Sequence, residues 1–90
     1  MKTSSIANFH FTTWDFFKQN LRYYRKGKGY TQERFAERCS VSASYYAKLE
    51  APNCTELPSP KLLPSLAFHL DVDVMDLFWV DWEVTNKGKK

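Results

Sequence analysis

The segment from Ser42 to Lys48 collects side chains that can hydrogen bond to an anionic or base-like ligand. Two serines, Ser42 and Ser44, are followed by the phenol of Tyr45 and the ammonium group of Lys48. Hydroxyl groups donate and accept hydrogen bonds, whereas a lysine ammonium only donates and carries a full positive charge. Such groups suit phosphate oxygens and the polar edges of bases. The alternative for Lys48 is a solvated lysine at a helix end, favoured by the helix dipole.

Charge is distributed unevenly along the chain. The net charge is only +3, but residues 18–48 include eight basic and two acidic side chains. Residues 49–86 reverse this balance, with seven acidic side chains and a single lysine, Lys61. A basic half joined to an acidic half indicates either one surface that faces a polyanion or a solvated helix face.

Residues suited to catalysis or metal binding are not arranged for either. Neither histidine, His10 or His69, stands at metal-ligand spacing from Cys39 or Cys54. The sequence has no recognisable Ser-His-Asp order, glycine-rich phosphate loop or catalytic carboxylate pair. We therefore expect no enzyme, no cofactor and no metal site.

Composition limits the class of protein. Ninety residues, 43% hydrophobic and 17% aromatic, suffice for one domain whose core is filled by a few bulky rings. No run of about 18 apolar residues could span a membrane, and the N-terminus lacks the apolar stretch of a signal peptide. Two cysteines do not make a disulfide framework, so we expect a cytoplasmic protein.

Apolar periodicity predicts an all-α domain of five helices. The first begins at a threonine cap, Thr12 or Thr13, and ends near Lys26, with glycines after it. Its buried stripe is Phe17, Leu21 and Tyr24.

The two later helices begin at predictable caps. Ser59 is predicted to cap the fourth helix, with Pro60 at its first position. Its core residues are Leu62, Leu63, Leu66, Ala67 and Leu70. Pro64 has two interpretations: either this helix kinks there, or residues 59–63 form a 3₁₀ turn and Pro64 opens the helix. Asp73 caps a short fifth helix.

Two short helices with a tight break occupy the centre of the chain. Thr31 and Ser42 are the predicted caps of the second and third helices, and residues 39–42 form the break. The inner positions are Phe35, Ala36, Cys39, Tyr46 and Leu49, with Val41 in the break. This is the geometry of a helix-turn-helix, in which the second helix supports the third. The exposed start of the third helix is then suited to a DNA major groove.

The stretch "LRYYRKGKGYTQERFAERCSVSASYYAKLE", residues 21–50, resembles the lambdoid phage repressor and Cro family, the XRE-type helix-turn-helix. The similarity extends from Phe17 to Phe78 and includes "GYTQ", "AER", the "VS" turn and "KLE" in register. It implies a sequence-preferring, double-stranded DNA-binding transcriptional regulator, expected to act as a repressor. It also implies a homodimer on a palindromic operator, with no cofactor.

The resemblance implies a role for each residue of the presumed DNA-facing surface. Gln32 contacts a backbone phosphate, Ser42 is both helix cap and phosphate donor, and Tyr45 lies along the sugar–phosphate edge. The implied base-reading residues are Ala43, Ser44 and Lys48. Because Ala43 can contact only a thymine methyl group, we expect modest sequence preference.

Five charged residues take two further roles. By resemblance, Arg25 and Glu50 form a partly buried structural ion pair that ties the first helix to the end of the third. Arg22, Lys26 and Lys28 are interpreted as solvent-facing or phosphate-steering residues.

Three positions depart from the family pattern. Ser40 stands where the turn usually has glycine, which implies a left-handed non-glycine residue at a cost of about 1 kcal/mol. Tyr46 replaces a core Ile or Val, and Cys39 replaces a Leu. The loop after the third helix carries an acidic residue in place of the usual basic ones.

The chain ends and the acidic half allow a second interpretation, a protein-interaction module on the same fold. Residues 6–12 and 78–84 alternate like short strands, which would pair with each other or across a dimer interface. Trp79 and Trp82 either complete the core or anchor a partner, and aromatic enrichment at interfaces favours self-association. The predicted organisation is an N-terminal extension, a helix-turn-helix domain and a C-terminal extension with a basic tail: 1–12, 13–78 and 79–90.

Overall fold

Four α-helices and one 3₁₀ helix are present in the computed structural model, which describes residues 13–79. They are α1 (Thr13–Gly27), α2 (Gln32–Arg38), α3 (Ala43–Glu50), α4 (Leu62–Leu70) and the 3₁₀ helix (Val74–Phe78). The all-α prediction is confirmed, because this part of the chain contains no strand. The predicted fifth helix is a 3₁₀ helix, and Phe78 belongs to it rather than to a strand. The predicted strand at 6–12 and the rest of the one at 78–84, from residue 80 on, lie outside the described residues.

The core is built from apolar residues of every helix. The fully or nearly buried members are Phe17, Leu21, Phe35, Ala36, Cys39, Tyr46, Leu49, Leu66, Ala67, Leu70 and Leu77. Aromatic rings fill much of it: Phe17 stacks on Phe78 with centroids 5.3 Å apart, and Phe35 meets Tyr46 edge-on at 5.3 Å. Three residues predicted as core are only half-buried against it, namely Tyr24, Leu62 and Leu63.

Local side-chain caps fix the starts of α2 and α3. The Thr31 hydroxyl accepts from the Arg34 backbone N–H at 3.0 Å. The Ser42 hydroxyl accepts from the Tyr45 N–H at 3.1 Å. Each bond satisfies one of the N–H groups that lack a partner inside the helix, so both predicted caps are confirmed.

The break between α2 and α3 is a Schellman-type turn. Ser40 adopts the left-handed conformation, with φ of 62°, as its place in the turn predicts. The Val41 N–H donates to the Ala36 carbonyl at 3.0 Å, and the Ser40 N–H donates to Glu37 at 3.1 Å. These bonds satisfy the last carbonyls of α2, and Val41 packs against the core from inside the turn.

The start of α4 differs from the prediction by two residues. The helix begins at Leu62, and Pro60 lies in the preceding turn. The Ser59 hydroxyl still accepts from the Leu62 N–H, at 3.2 Å, and the Ser59 carbonyl accepts from Leu62 and Leu63. Pro64 is therefore the third residue of α4, within the first turn, where a missing N–H costs no intrahelical hydrogen bond.

Asn20, a fully buried residue of α1, holds the 3₁₀ helix in place. Its amide nitrogen donates to the carbonyls of Leu77 at 2.8 Å and Trp79 at 3.1 Å. Within the described part of the chain, its side-chain oxygen is buried without a hydrogen-bond partner. The periodicity of α1 did not identify this residue, because its partners are more than 50 residues away along the chain.

Candidate nucleic-acid interface

The outer face of the helix-turn-helix presents small and polar side chains. Ser42, Ala43, Ser44 and Lys48 are exposed together at the start and along one side of α3. Tyr45 was predicted to be exposed on the same face, but it is half-buried and its ring packs against the core. Of the predicted surface, Ser42, Ala43, Ser44 and Lys48 are therefore the residues that are exposed.

The C-terminal end of α3 is fixed by a buried ion pair. Arg25 Nε donates to Glu50 Oε2 at 2.6 Å, and Arg25 Nη2 donates to Glu50 Oε1 at 3.0 Å. Their side chains are only 8% and 4% exposed. Arg25 Nη1 also donates to the Tyr30 carbonyl at 2.6 Å, in the turn that leads into α2. This two-pronged contact joins α1, the turn before α2, and α3.

Two further side chains donate to the same carboxylate. Gln32 Nε2 donates to Glu50 Oε1 at 2.9 Å, and the buried Tyr46 hydroxyl donates to Glu50 Oε2. Burial acts to raise the pKa of Glu50, but the hydrogen bonds from Arg25, Tyr46 and Gln32 outweigh it, so the pKa lies below its ordinary value. Gln32 is thus half-buried at the base of the interface, with its amide nitrogen on Glu50.

Lys18 also holds the last turn of α3 in place. Its ammonium group donates to the carbonyls of Lys48 at 2.9 Å, Leu49 at 3.1 Å and Glu56 at 3.0 Å. These are carbonyls at and beyond the end of a helix, where intrahelical partners run out. Desolvation lowers the pKa of Lys18. Lys18 therefore does not belong to the basic surface in which its charge was counted.

The sequence carried a usable signal for Lys18. The residue lies three positions before Leu21 and seven before Arg25, which places all three on one side of α1. A lysine on a buried side needs acceptors, and the ends of neighbouring helices supply them.

The other basic side chains of residues 18–48 are exposed around the helix-turn-helix. They are Arg22, Lys26, Lys28, Arg34, Arg38 and Lys48. The Arg38 guanidinium lies over the Tyr30 ring, 5.2 Å from its centroid. The Lys28 ammonium is 3.8 Å from the Asp71 carboxylate in a largely solvated pair. Surface pairs of this kind are weak, so Lys28 keeps most of its ability to attract a polyanion.

Cys39 and His69, separated along the chain, meet in the fold. Cys39 Sγ lies 3.8 Å from His69 Nδ1, which also contacts the Ser65 carbonyl at 2.9 Å. Burial raises the pKa of the Cys39 thiol to about 11, so it stays protonated at neutral pH. Residues 13–79 contain no group of three or more His, Cys, Asp or Glu side chains that could hold a metal. Nor does any helix among them have the length and apolarity to cross a membrane.

Large apolar side chains are exposed on α4, on the 3₁₀ helix and directly after it. Phe68 is 74% exposed, Met75 70% and Trp79 61%. Trp79 thus does not complete the core, and Trp82 lies outside the described residues.

Comparison with known proteins agrees with this geometry. A family model described as Helix-turn-helix matches residues 21–77, more than half of the chain. Searches of curated proteins and of solved structures gave no match. The matched range contains α2, the turn, α3 and α4, together with the Arg25–Glu50 pair. The chain belongs to the XRE-type helix-turn-helix family, whose members are DNA-binding regulators.

Proposed function

We propose that this regulator is a sequence-preferring transcriptional repressor that reads the major groove of an operator with α3. One observation carries the proposal: Ser42, Ala43, Ser44 and Lys48 are exposed on α3 and its cap, while the C-terminal residue of this helix is buried and fixed. Arg25 and Lys18 make the contacts that fix it. A rigidly held helix that presents small and hydrogen-bonding groups is what major-groove docking needs.

The proposed contacts follow the resemblance, with one refinement from the geometry, at Tyr45. Ala43, Ser44 and Lys48 read bases, and Lys48 suits the O6 and N7 acceptors of guanine. Gln32 and Ser42 contact backbone phosphates. The Tyr45 ring packs inward, so only its hydroxyl group reaches the sugar–phosphate edge. The exposed side chains Arg22, Lys26 and Lys28 steer the protein to the duplex.

We further propose that the protein binds a palindromic operator as a homodimer. Family members of this type place two recognition helices about one turn of DNA apart. The strong exposure of Trp79 supports a contribution of the C-terminal segment, including Trp82, to self-association.

Selection from a random duplex pool, followed by anisotropy titration of the enriched duplex across salt, tests the proposal. We expect an enriched palindrome, and an affinity that falls with salt at a log–log slope of about −0.9 for each phosphate contacted. If no sequence is enriched and binding to every duplex stays weak, the repressor function is wrong.

The exposed apolar residues favour a second candidate, a protein-interaction module. Phe68, Met75 and Trp79 present more apolar surface than a DNA-binding face needs. Binding of a partner protein through them should depend little on salt and should be lost in Trp79→Ala. In the same variant, duplex binding should keep its salt slope even when the protein binds as a monomer. This difference separates the two functions.

A further inference from the structure

We propose that Tyr46 is a positioning residue, which acts through Glu50 to hold Gln32 in the orientation that contacts a DNA phosphate. The inference rests on the proposed function, in which Gln32 makes that contact. It assigns a binding role to a fully buried side chain that reaches no DNA itself.

Glu50 has its full complement of hydrogen bonds. A carboxylate offers about four lone-pair positions, two on each oxygen. Arg25 occupies one position on each oxygen. The Tyr46 hydroxyl takes the second position on Oε2, and the Gln32 amide takes the second position on Oε1.

This arrangement leaves Gln32 one place to bind. Because the Arg25 guanidinium is planar and contacts both oxygens, the carboxylate cannot rotate without breaking that contact. Because Arg25 and Tyr46 occupy both positions on Oε2, Oε1 is the oxygen left to accept from the Gln32 amide nitrogen. One N–H of this nitrogen is then held by Glu50, and its second N–H has a fixed direction. Without the Tyr46 hydroxyl, either oxygen can accept from Gln32, and the direction of the second N–H is no longer unique.

The Tyr46 hydroxyl is itself held in place by packing. The ring is fully buried and meets the Phe35 ring edge-on, with centroids 5.3 Å apart. Tyr46→Phe therefore removes the hydroxyl while the ring that fills the core is retained. Tyr30→Phe is the matched control, because it removes a hydroxyl from another ring that packs on Phe35, at 5.6 Å.

A double-mutant cycle on duplex affinity tests the proposal. Tyr46→Phe should weaken binding of the selected duplex about three- to tenfold, the effect of losing one well-placed hydrogen bond. The loss should be similar for unrelated duplexes, because a phosphate contact carries no sequence information. In a Gln32→Ala background the effect of Tyr46→Phe should vanish, because the residue through which it acts is gone. Tyr30→Phe should bind like the parent.

The possible results separate this inference from the proposed function. If the parent binds no duplex, the proposed function fails and this inference fails with it. If the parent binds but the two losses are additive, Tyr46 acts only through stability and this inference alone fails. The NMR signals of the Gln32 side-chain amide give a readout without DNA. They should move in Tyr46→Phe and stay in place in Tyr30→Phe, and unchanged signals in both variants would overturn the inference.

Discussion

The two ends of α3 differ in almost every physical respect. Its N-terminal end is exposed from Ser42 to Ser44. A single hydrogen bond from the Tyr45 N–H to the Ser42 hydroxyl caps it. Its C-terminal end is buried at Glu50, where Arg25, Gln32 and Tyr46 donate to one carboxylate. Lys18 adds three hydrogen bonds to carbonyls at this end and in the following loop.

This contrast implies that the two ends of this helix of eight residues have different roles. Interactions at the buried end determine the stability of the domain and the angle at which α3 projects. Side chains at the exposed end make few contacts with the core, and in the proposed function they determine affinity and base preference. Stability and DNA binding should therefore be separable by substitutions only a few residues apart.

The largest effect is expected from Arg25→Met. It leaves the Glu50 carboxylate buried without its countercharge, which costs about 3–5 kcal/mol of unfolding free energy. Urea unfolding followed by circular dichroism measures the loss. The double variant Arg25→Met/Glu50→Met is the control, because it removes both charges and should recover much of the stability. A loss below about 1 kcal/mol, the scale of a surface pair, would show that the pair is solvated.

A smaller loss of unfolding free energy is expected when the pH is lowered, because the Glu50 carboxylate becomes protonated. The folded-state pKa of Glu50 lies below its ordinary value of 4.5. Its contribution to stability is therefore fully present above about pH 4.5 and is lost as pH falls through the lower folded-state pKa. Urea unfolding between pH 7 and pH 3 should show a steeper decline for the parent than for Glu50→Gln. Equal slopes in the two proteins would contradict the assigned direction of the shift.

The Lys48 side chain is exposed although it lies in the last turn of α3, so Lys48→Ala should change base preference and leave the fold intact. The expected loss of discrimination is about 1–3 kcal/mol at one base pair of the selected site, since a lysine contact to guanine is removed. Unfolding free energy should stay within about 0.5 kcal/mol of the parent, as for other surface substitutions. Anisotropy titrations of single-base variants of the duplex measure the first quantity and urea unfolding the second. An unchanged preference would remove Lys48 from the reading set.

The smallest effect is expected from Ser40→Gly in the turn. Ser40 has φ of 62°, a region that glycine enters without steric cost, so the substitution should stabilise the protein by about 1 kcal/mol. Asp71→Gly is the matched variant, because Asp71 has the same φ at the end of α4. The melting temperature should rise in both variants, and duplex affinity should be retained. A lower melting temperature for Ser40→Gly would mean that the serine makes a compensating contact.

The two ends of α3 also differ in how well the sequence predicts them. The left-handed conformation of Ser40 was expected from the family resemblance, whereas the caps at Thr31 and Ser42 depend on hydrogen bonds across three residues. Such local features can be predicted directly from residue type and spacing. The all-α class follows from apolar periodicity in the same way.

Contacts between distant residues were harder to predict. The hydrogen bonds of Lys18 cross 30 to 38 residues, and those of Asn20 cross 57 and 59. No spacing rule links such pairs, because their meeting depends on how whole helices pack. The Arg25–Glu50 pair was expected only from the family resemblance, and Tyr46 was expected only to replace a core Ile or Val, without a role for its hydroxyl. The inward packing of Tyr45 also depends on tertiary structure.

Binding of duplex DNA by the exposed face of α3 can be measured in one titration. The selected duplex and a scrambled duplex of the same composition are titrated with the parent and with Lys48→Ala, at several salt concentrations. We expect a steep salt slope for both proteins and tighter binding of the selected duplex by the parent, with much of that preference lost in Lys48→Ala. Binding of both duplexes by the two proteins with equal affinity would contradict this expectation.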